Sequence, residues 1–239
     1  MRILLVGYGK MGKTIEKIAK DRGNEIAGII DVDNFSDLEN MKKEDADVAI
    51  EFTQPDAAFK NISTCLSKGI PVVSGTTGWL EKKSEIEMIC LQNKTAFFYA
   101  SNYSIGVNLF FKLNQILAGM MNRHLQYNVA MSETHHTEKK DAPSGTAITL
   151  AEGIIANLER KNNWKLEHDQ QNEDDIPIQP FRKKDVPGTH TIEYNSEVDS
   201  ISIQHVAHSR QGFAEGAVQA AEWLVGKEGI FGMDDLLKF

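Results

Sequence analysis

A short apolar run that ends in a spaced glycine triplet constrains this chain more than any other feature. Ile3 to Val6 carries no polar alternation, as expected of a strand buried on both faces of a parallel sheet. Gly7-Tyr8-Gly9-Lys10-Met11-Gly12 follows at once, and Ile15, Ile18 and Ala19 then recur at helical spacing over 13–22. Strand, glycine turn and helix is the setting a dinucleotide fingerprint needs. The first glycine permits the turn, the second lets backbone approach a pyrophosphate, and the third lets the helix pack on the strand. Free N–H groups at the helix start then face the negative charge.

A second strand, Glu25 to Ile30, delivers Asp31, 24 residues after Gly7. That is where an acid is expected to hold an adenosine ribose. Val32, Asp33 and Asn34 follow it, so a 2′-phosphate would meet negative charge. NADH is therefore the expected cofactor, with NADPH as the second candidate. The alternation continues as strand 47–52, helix 55–68, strand 70–73, helix 79–92 and strand 95–99. Such repetition predicts a doubly wound parallel sheet, which binds ligands at the carboxyl ends of its strands. Three polar turns lie at those ends: Phe52-Thr53-Gln54-Pro55, Ser74 to Gly78, and Ala100 to Ser104.

The chain's 239 residues accommodate one large domain or two modest ones. A formal net charge of −8 disfavours nucleic acid, which needs a basic face. No apolar run approaches the roughly 20 residues of a membrane span. The apolar start is too short for a signal peptide and leads into the glycine loop. A cytoplasmic protein is expected. Cys65 and Cys90 lack metal-ligand spacing and read as small buried hydrophobes.

The second half holds the chemistry. An apolar helix is predicted over 104–121. The strand Tyr127 to Ser132 leads into Glu133-Thr-His-His-Thr-Glu-Lys-Lys-Asp-Ala-Pro-Ser-Gly-Thr146. Pro143 and Ser144 then open a helix to about Leu158. Residues 159–187 read as a long, partly mobile connection with solvated charges. Strands 189–195 and 200–206 pair around a turn at 197–199, in a mixed or antiparallel sheet, and a last helix covers 213–225. Gly145 and Thr146 place N–H groups at a helix start, where an anion can approach. Lys139 adds charge, and His135 or His136 can bind an anion or move a proton near neutrality. As neighbours on an extended segment, the two histidines point in opposite directions. Ser144 fits a helix cap better than a nucleophile. A metal held by the histidine pair with Glu133 and Asp141 is set aside. Adjacent histidines chelate one ion poorly, and no third ligand follows at a standard spacing, so no metal is expected.

The run E-x-H-H-x-x-K-x-D-x-P-S-G-T resembles the signature of the 4-hydroxy-tetrahydrodipicolinate reductase (dihydrodipicolinate reductase) family of lysine and diaminopimelate biosynthesis. The resemblance extends over nearly the whole chain. It takes in Gly7–Gly12, Gly75-Thr76-Thr77, Ala100-Ser101-Asn102-Tyr103 with the following Ser-Ile-Gly-Val-Asn, and Ser209-Arg210.

The resemblance implies a Rossmann-like nucleotide domain over 1–104, an α+β substrate-binding and tetramerisation domain over 105–211, and a C-terminal helical segment over 212–239 that returns to the first domain. It implies a homotetramer that reduces a small cyclic dicarboxylate with NADH or NADPH. By position it makes His135 and Lys139 catalytic, and His136, Gly145 and Thr146 contacts to substrate carboxylates. Gly7, Tyr8, Gly9, Lys10, Met11, Gly12, Asp31, Gly75, Thr76, Thr77, Ala100, Ser101, Asn102 and Tyr103 become cofactor positions. Val32 stands where many dual-specificity members have arginine, which weighs against NADPH. Two other readings stay open: a dehydrogenase of a small dicarboxylic amino acid, such as aspartate, and an inactive NAD-binding module.

Overall fold

The computed structural model describes residues 1–209 and 211–239. In chain order the main elements are β1 (Arg2–Val6), α1 (Lys10–Asp21), β2 (Glu25–Ile30), α2 (Phe35–Asn40), β3 (Val48–Glu51), α3 (Pro55–Ser67), β4 (Val72–Ser74), α4 (Lys83–Gln92), β5 (Ala96–Tyr99), α5 (Ile105–Met121), β6 (Asn128–His135), α6 (Gly145–Ile155), β7 (Asn163–Leu166), β8 (Asp175–Arg182), β9 (Gly188–Asn195), β10 (Ser200–Ala207), α7 (Gln211–Leu224), β11 (Gly229–Phe231) and α8 (Met233–Leu237). The chain divides into two compact units, Met1–Ile105 with Gln211–Phe239, and Gly106–Arg210.

The first unit is built on a six-stranded sheet in the order β11-β5-β4-β3-β1-β2, parallel throughout. Its strands lack polar alternation because both faces are covered. Ile3, Leu5, Val48, Ile50 and Phe98 pack with α1 and α7 in one core. Leu4, Ala49, Val72 and Phe97 pack with α2, α3 and α4 in another. Each fully buried Leu, Ile or Phe contributes about 1.5–3 kcal/mol relative to exposure. The Arg22 guanidinium donates two hydrogen bonds to Glu222, at 3.0 and 2.5 Å, linking the end of α1 to α7. Cys65 and Cys90 are buried free thiols, and burial pushes them up to about 12 and about 11.

The second unit holds a mixed sheet in the order β10-β9-β6-β8-β7. β9 is antiparallel to β6 and β10, whereas β8 is parallel to β6 and β7. Val129 and Met131 of β6, with Ile192 and Tyr194 of β9, share a core with Phe110, Leu150 and Ile154 from α5 and α6. The doubly wound parallel sheet and the second, mixed sheet are therefore both present, as the sequence predicts. Among the described residues, no helix is long and apolar enough to cross a membrane.

The clearest departure is the segment expected to be a long connection. It contains β7 and β8, and β8 lies inside the sheet. Pro177 and Pro180 interrupt its strand signal, yet Ile176 and Ile178 are fully buried. Its charges are engaged rather than simply solvated. Lys165 pairs with Asp175 at 2.8 Å, and the buried Lys161 ammonium donates to Asp175 O at 2.9 Å. The short elements α2, β11 and α8 were also not anticipated.

α7 lies against the turn after β5 so closely that a Cβ on Gly216 would sit 1.8 Å from Tyr103 O. Gly216→Ala should therefore lower stability by about 1–3 kcal/mol, the usual cost of overpacking. Urea unfolding measures it; an unchanged midpoint would show that the backbone yields.

Candidate active site

In the first unit, the β1–α1 turn is shaped by steric exclusion. Gly7 has φ +93°, and a Cβ there would meet Phe52 O at 2.0 Å. A Cβ on Gly12 would meet Gly7 O at 2.3 Å. Gly9, the N-cap of α1, has open space where its Cβ would be, and no side chain caps the helix. Backbone N–H groups at such a helix start suit a phosphate. Beside the turn is a cavity of about 490 Å³, lined in part by Gly7, Tyr8, Gly9, Asp31, Thr53 and Lys60. Lys10, Met11 and Gly12 form the first turn of α1. Asp31 is exposed and accepts a hydrogen bond from Val32 N at 2.9 Å. Val32 is 86% exposed.

The turns after β3 and β4 are joined by Glu51, a residue the motifs did not single out. Its carboxylate is 1% exposed. It accepts from Thr53 N at 3.1 Å, Thr76 Oγ1 at 2.8 Å, Ser74 Oγ at 2.6 Å and the Thr53 hydroxyl. Burial nevertheless raises its pKa above the ordinary carboxylate value, because all four donors are neutral. A glutamate closing the apolar run Val48 to Ile50 was the available clue. Gly75 and Thr77 flank Thr76 in this turn. Ala100, Ser101, Asn102 and Tyr103 follow β5, where the Tyr103 ring packs between Phe52 and Phe98. The Tyr103 hydroxyl donates to Ser74 O at 2.7 Å, so its side chain holds the turn.

In the second unit, β6 alternates strictly, and Val129, Met131, Glu133 and His135 face inward. The last two bring ionisable groups to the inner face at the strand's end. His135 is 7% exposed, whereas His136 is half-buried. Glu133 is 1% exposed, and both its oxygens accept from Ser144 N at 3.1 Å. Its Oε2 lies 3.5 Å from His135 Nδ1 and 3.7 Å from His190 Nε2; its Oε1 lies 3.7 Å from Arg182. Strand register explains the gathering: His190 of β9 stands opposite Glu133, and Arg182 of β8 stands opposite His135.

Ser144 caps α6, its hydroxyl accepting from Ala147 N at 3.2 Å, as its position suggests. That hydroxyl also lies 3.2 Å from His190 Nε2. Gly145 is exposed with open space around its Cβ position, and Thr146 is half-buried. The Lys139 ammonium donates to both oxygens of Asp141, at 2.9 and 2.8 Å, which holds the Asp141 carboxyl below the usual range. His135, His136, Lys139, Gly145 and Thr146 are thus carried by one continuous segment around the start of α6. Glu133, His135 and His190 offer ligand atoms within 4.8 Å of one another, a spacing that also suits a metal ion. The Ser144 N–H and Arg182 already compensate the carboxylate. Sequence reasoning missed His190 and Arg182; the clue in β9 is His190-x-Ile192-x-Tyr194, which puts a histidine on the core-facing side. Arg210 lies outside the described residues.

Electrostatics separate the two buried carboxylates. Burial opposes ionisation of Glu133, but His190 and Ser144 hold its pKa below the ordinary value. Burial outweighs the attraction of Glu133 for a proton on His135, whose pKa falls to about 4.

Comparison with known proteins places both units in one group. Residues 1–103 match the family described as Dihydrodipicolinate reductase, N-terminus, and residues 106–237 match Dihydrodipicolinate reductase, C-terminus. A 4-hydroxy-tetrahydrodipicolinate reductase of Christiangramia forsetii is 53% identical over 239 residues, covering 99% of this chain and 98% of that protein. One from Methanosarcina mazei is 38% identical over 231 residues, covering 93% and 86%. The dipicolinate-bound dihydrodipicolinate reductase of Paenisporosarcina sp. TG-14 superposes with TM-score 0.80 at 22% identity, covering 98% of each chain, which shows a shared fold.

His135 supplies a pH signature. Its folded pKa of about 4 lies below the 6.5 of a free histidine, so the unfolded chain binds the proton more readily. The resulting stability is present above about pH 6.5 and is lost as pH falls toward 4, by at most about 1.4 kcal/mol per pH unit. His135→Gln should flatten the unfolding free energy between pH 6.5 and 4. Parallel curves for the two proteins in urea titrations would exclude this.

Proposed function

The chain belongs to the dihydrodipicolinate reductase family, and from that premise we propose that it reduces 4-hydroxy-tetrahydrodipicolinate, through its dehydrated cyclic imine, to tetrahydrodipicolinate in lysine biosynthesis. The observation that carries this reading is the segment Glu133 to Thr146, folded around a helix start with an open glycine. A nicotinamide cofactor supplies the hydride. The first unit suits one: the uncapped start of α1, the bare Gly9 and the adjoining cavity form a cradle for a dinucleotide. We assign Gly7 to Gly12 to its pyrophosphate, Asp31 to its adenosine ribose, and the turns Gly75 to Thr77 and Ala100 to Tyr103 to its remaining length.

The second unit takes the substrate. One carboxylate docks on the N–H groups and hydroxyl of Gly145 and Thr146, where the α6 dipole favours an anion. The other meets His136 and Lys139, with the substrate replacing Asp141 as the lysine's counter-ion. Hydride adds to one ring carbon and a proton to its neighbour, so the ring double bond becomes saturated. Lys139, with His135 beside it, delivers that proton. Positioning and electrostatics carry most of the rate gain. The family resemblance supports a homotetramer formed through the second unit, located in the cytoplasm.

NADH is the preferred cofactor in this reading. The cavity lining includes two acids, Asp31 and Asp56, against one cation, Lys60. Lys60 is itself engaged, its ammonium 3.8 Å over the Phe35 ring and 3.8 Å from Glu39.

Absorbance at 340 nm tests the reading, with a synthase supplying fresh substrate from pyruvate and aspartate semialdehyde. Substrate-dependent oxidation, faster with NADH than with NADPH, is expected; no oxidation by a protein that binds NADH would overturn the assignment. Lys139→Ala should leave NADH affinity intact and cut turnover on the order of 100-fold, and near-normal turnover would remove Lys139 from the mechanism. Val32→Arg should raise NADPH use relative to NADH roughly tenfold, through one added phosphate contact. An unchanged ratio would show that Val32 does not face the 2′ position.

A further inference from the structure

We propose that Glu133 is the positioning residue of the substrate site: it holds His135 with its proton on Nδ1, leaves Nε2 as the accepting nitrogen, and anchors the start of α6. This deepens the reductase reading of the same site and rests on it.

An ionised carboxylate only accepts hydrogen bonds. Nδ1 of His135 is buried without a hydrogen bond, and Glu133 Oε2 lies 3.5 Å from it. A neutral imidazole facing that oxygen keeps its one proton on Nδ1, so the lone pair is on Nε2. The surroundings keep Nε2 clear. A Cβ on residue 188 would stand 3.1 Å from it, and residue 188 is glycine. The His190 ring packs edge-on against His135, with centroids 5.1 Å apart at 71°, which restrains rotation of the imidazole. The lone pair on Nε2 then orients the proton donor, the Lys139 ammonium or a water, toward the ring carbon that must be protonated. As in carboxylate–histidine pairs elsewhere, the carboxylate sets the tautomer and need not take the proton itself.

The same side chain reaches the anion cradle. Its two oxygens receive Ser144 N–H, one residue before Gly145, and the Ser144 hydroxyl lies between Ala147 N and His190 Nε2. Glu133 thus ties the carboxylate-binding helix start to the imidazole on β6, while β8 and β9 supply Arg182 and His190 on its other sides.

Glu133→Gln preserves size but offers a single acceptor oxygen. If that oxygen keeps the Ser144 N–H, the amide NH₂ faces His135 and demands a lone pair on Nδ1, which inverts the tautomer. Two measurements test the proposal. In the wild-type protein labelled with 15N-histidine, with His135→Gln for assignment, the ring shifts of His135 should report protonated Nδ1 and unprotonated Nε2. In Glu133→Gln these should exchange, and kcat should fall on the order of 100-fold while KM for NADH and for the dicarboxylate stays within about threefold. A wild-type His135 protonated on Nε2 would overturn the proposal whether or not the variant folds. A folded variant with kcat within threefold of wild type would do so as well. Because the tautomer is read without turnover, a wild-type protein inactive toward the cyclic substrate would sink the reductase reading and leave the tautomer assignment standing.

Discussion

A carboxylate withdrawn from water must be met by donors, and each unit of this protein is organised where that requirement falls at the end of a strand. In the first unit the carboxylate is Glu51, in the second Glu133. Each follows apolar residues on a buried face near a strand's end, and each draws the following turns toward itself because an unmet buried charge costs several kcal/mol. The donors differ, and so does the electrostatic outcome. Glu51 meets three hydroxyls and one N–H, all neutral, and burial raises its pKa. Glu133 meets histidine and arginine as well as an N–H, and its pKa is lowered. The first arrangement braces turns; the second maintains a negative charge beside an imidazole.

The two sheets deliver these groups by different geometry. In the parallel sheet every strand ends on the same edge, so the glycine turn, Asp31, Thr53 and Thr76 are gathered by topology alone. In the mixed sheet, chemistry is gathered by register. The antiparallel pairing of β6 with β9 sets His190 opposite Glu133, and the parallel pairing with β8 sets Arg182 opposite His135. A one-residue slip in either pairing would turn those side chains to the other face. The cavity, the bare Gly9 and the open Gly145 are the complements of these gatherings, places where a side chain is missing next to backbone N–H groups.

Much of the fold was legible because it depends on local pattern. Ile3 to Val6 with three spaced glycines predicts strand, turn and helix, and the unalternating apolar runs predict a sheet covered on both faces. An extended segment predicts that His135 and His136 point in opposite directions, and only the structure shows that His135 is the one turned inward. The stretch 159–187 was not legible, because Pro177, Pro180 and a dense set of charges mask an inner strand whose stability comes from Ile176 and Ile178 packing beneath α6. Lys161 looks solvated in sequence and is buried in the fold, its ammonium held by two carbonyls.

The sequence by itself determined the strand–glycine–helix start, the acid after β2, and the segment from Glu133 to Thr146 with its cap and open glycine, because these depend on residues close together along the chain. Tertiary structure alone decided that Glu51 would tie two turns together, and that His190, 57 positions after Glu133, would stand across from it. Those outcomes depend on strand register and on which charges lose their water, quantities that exist only once distant segments have packed.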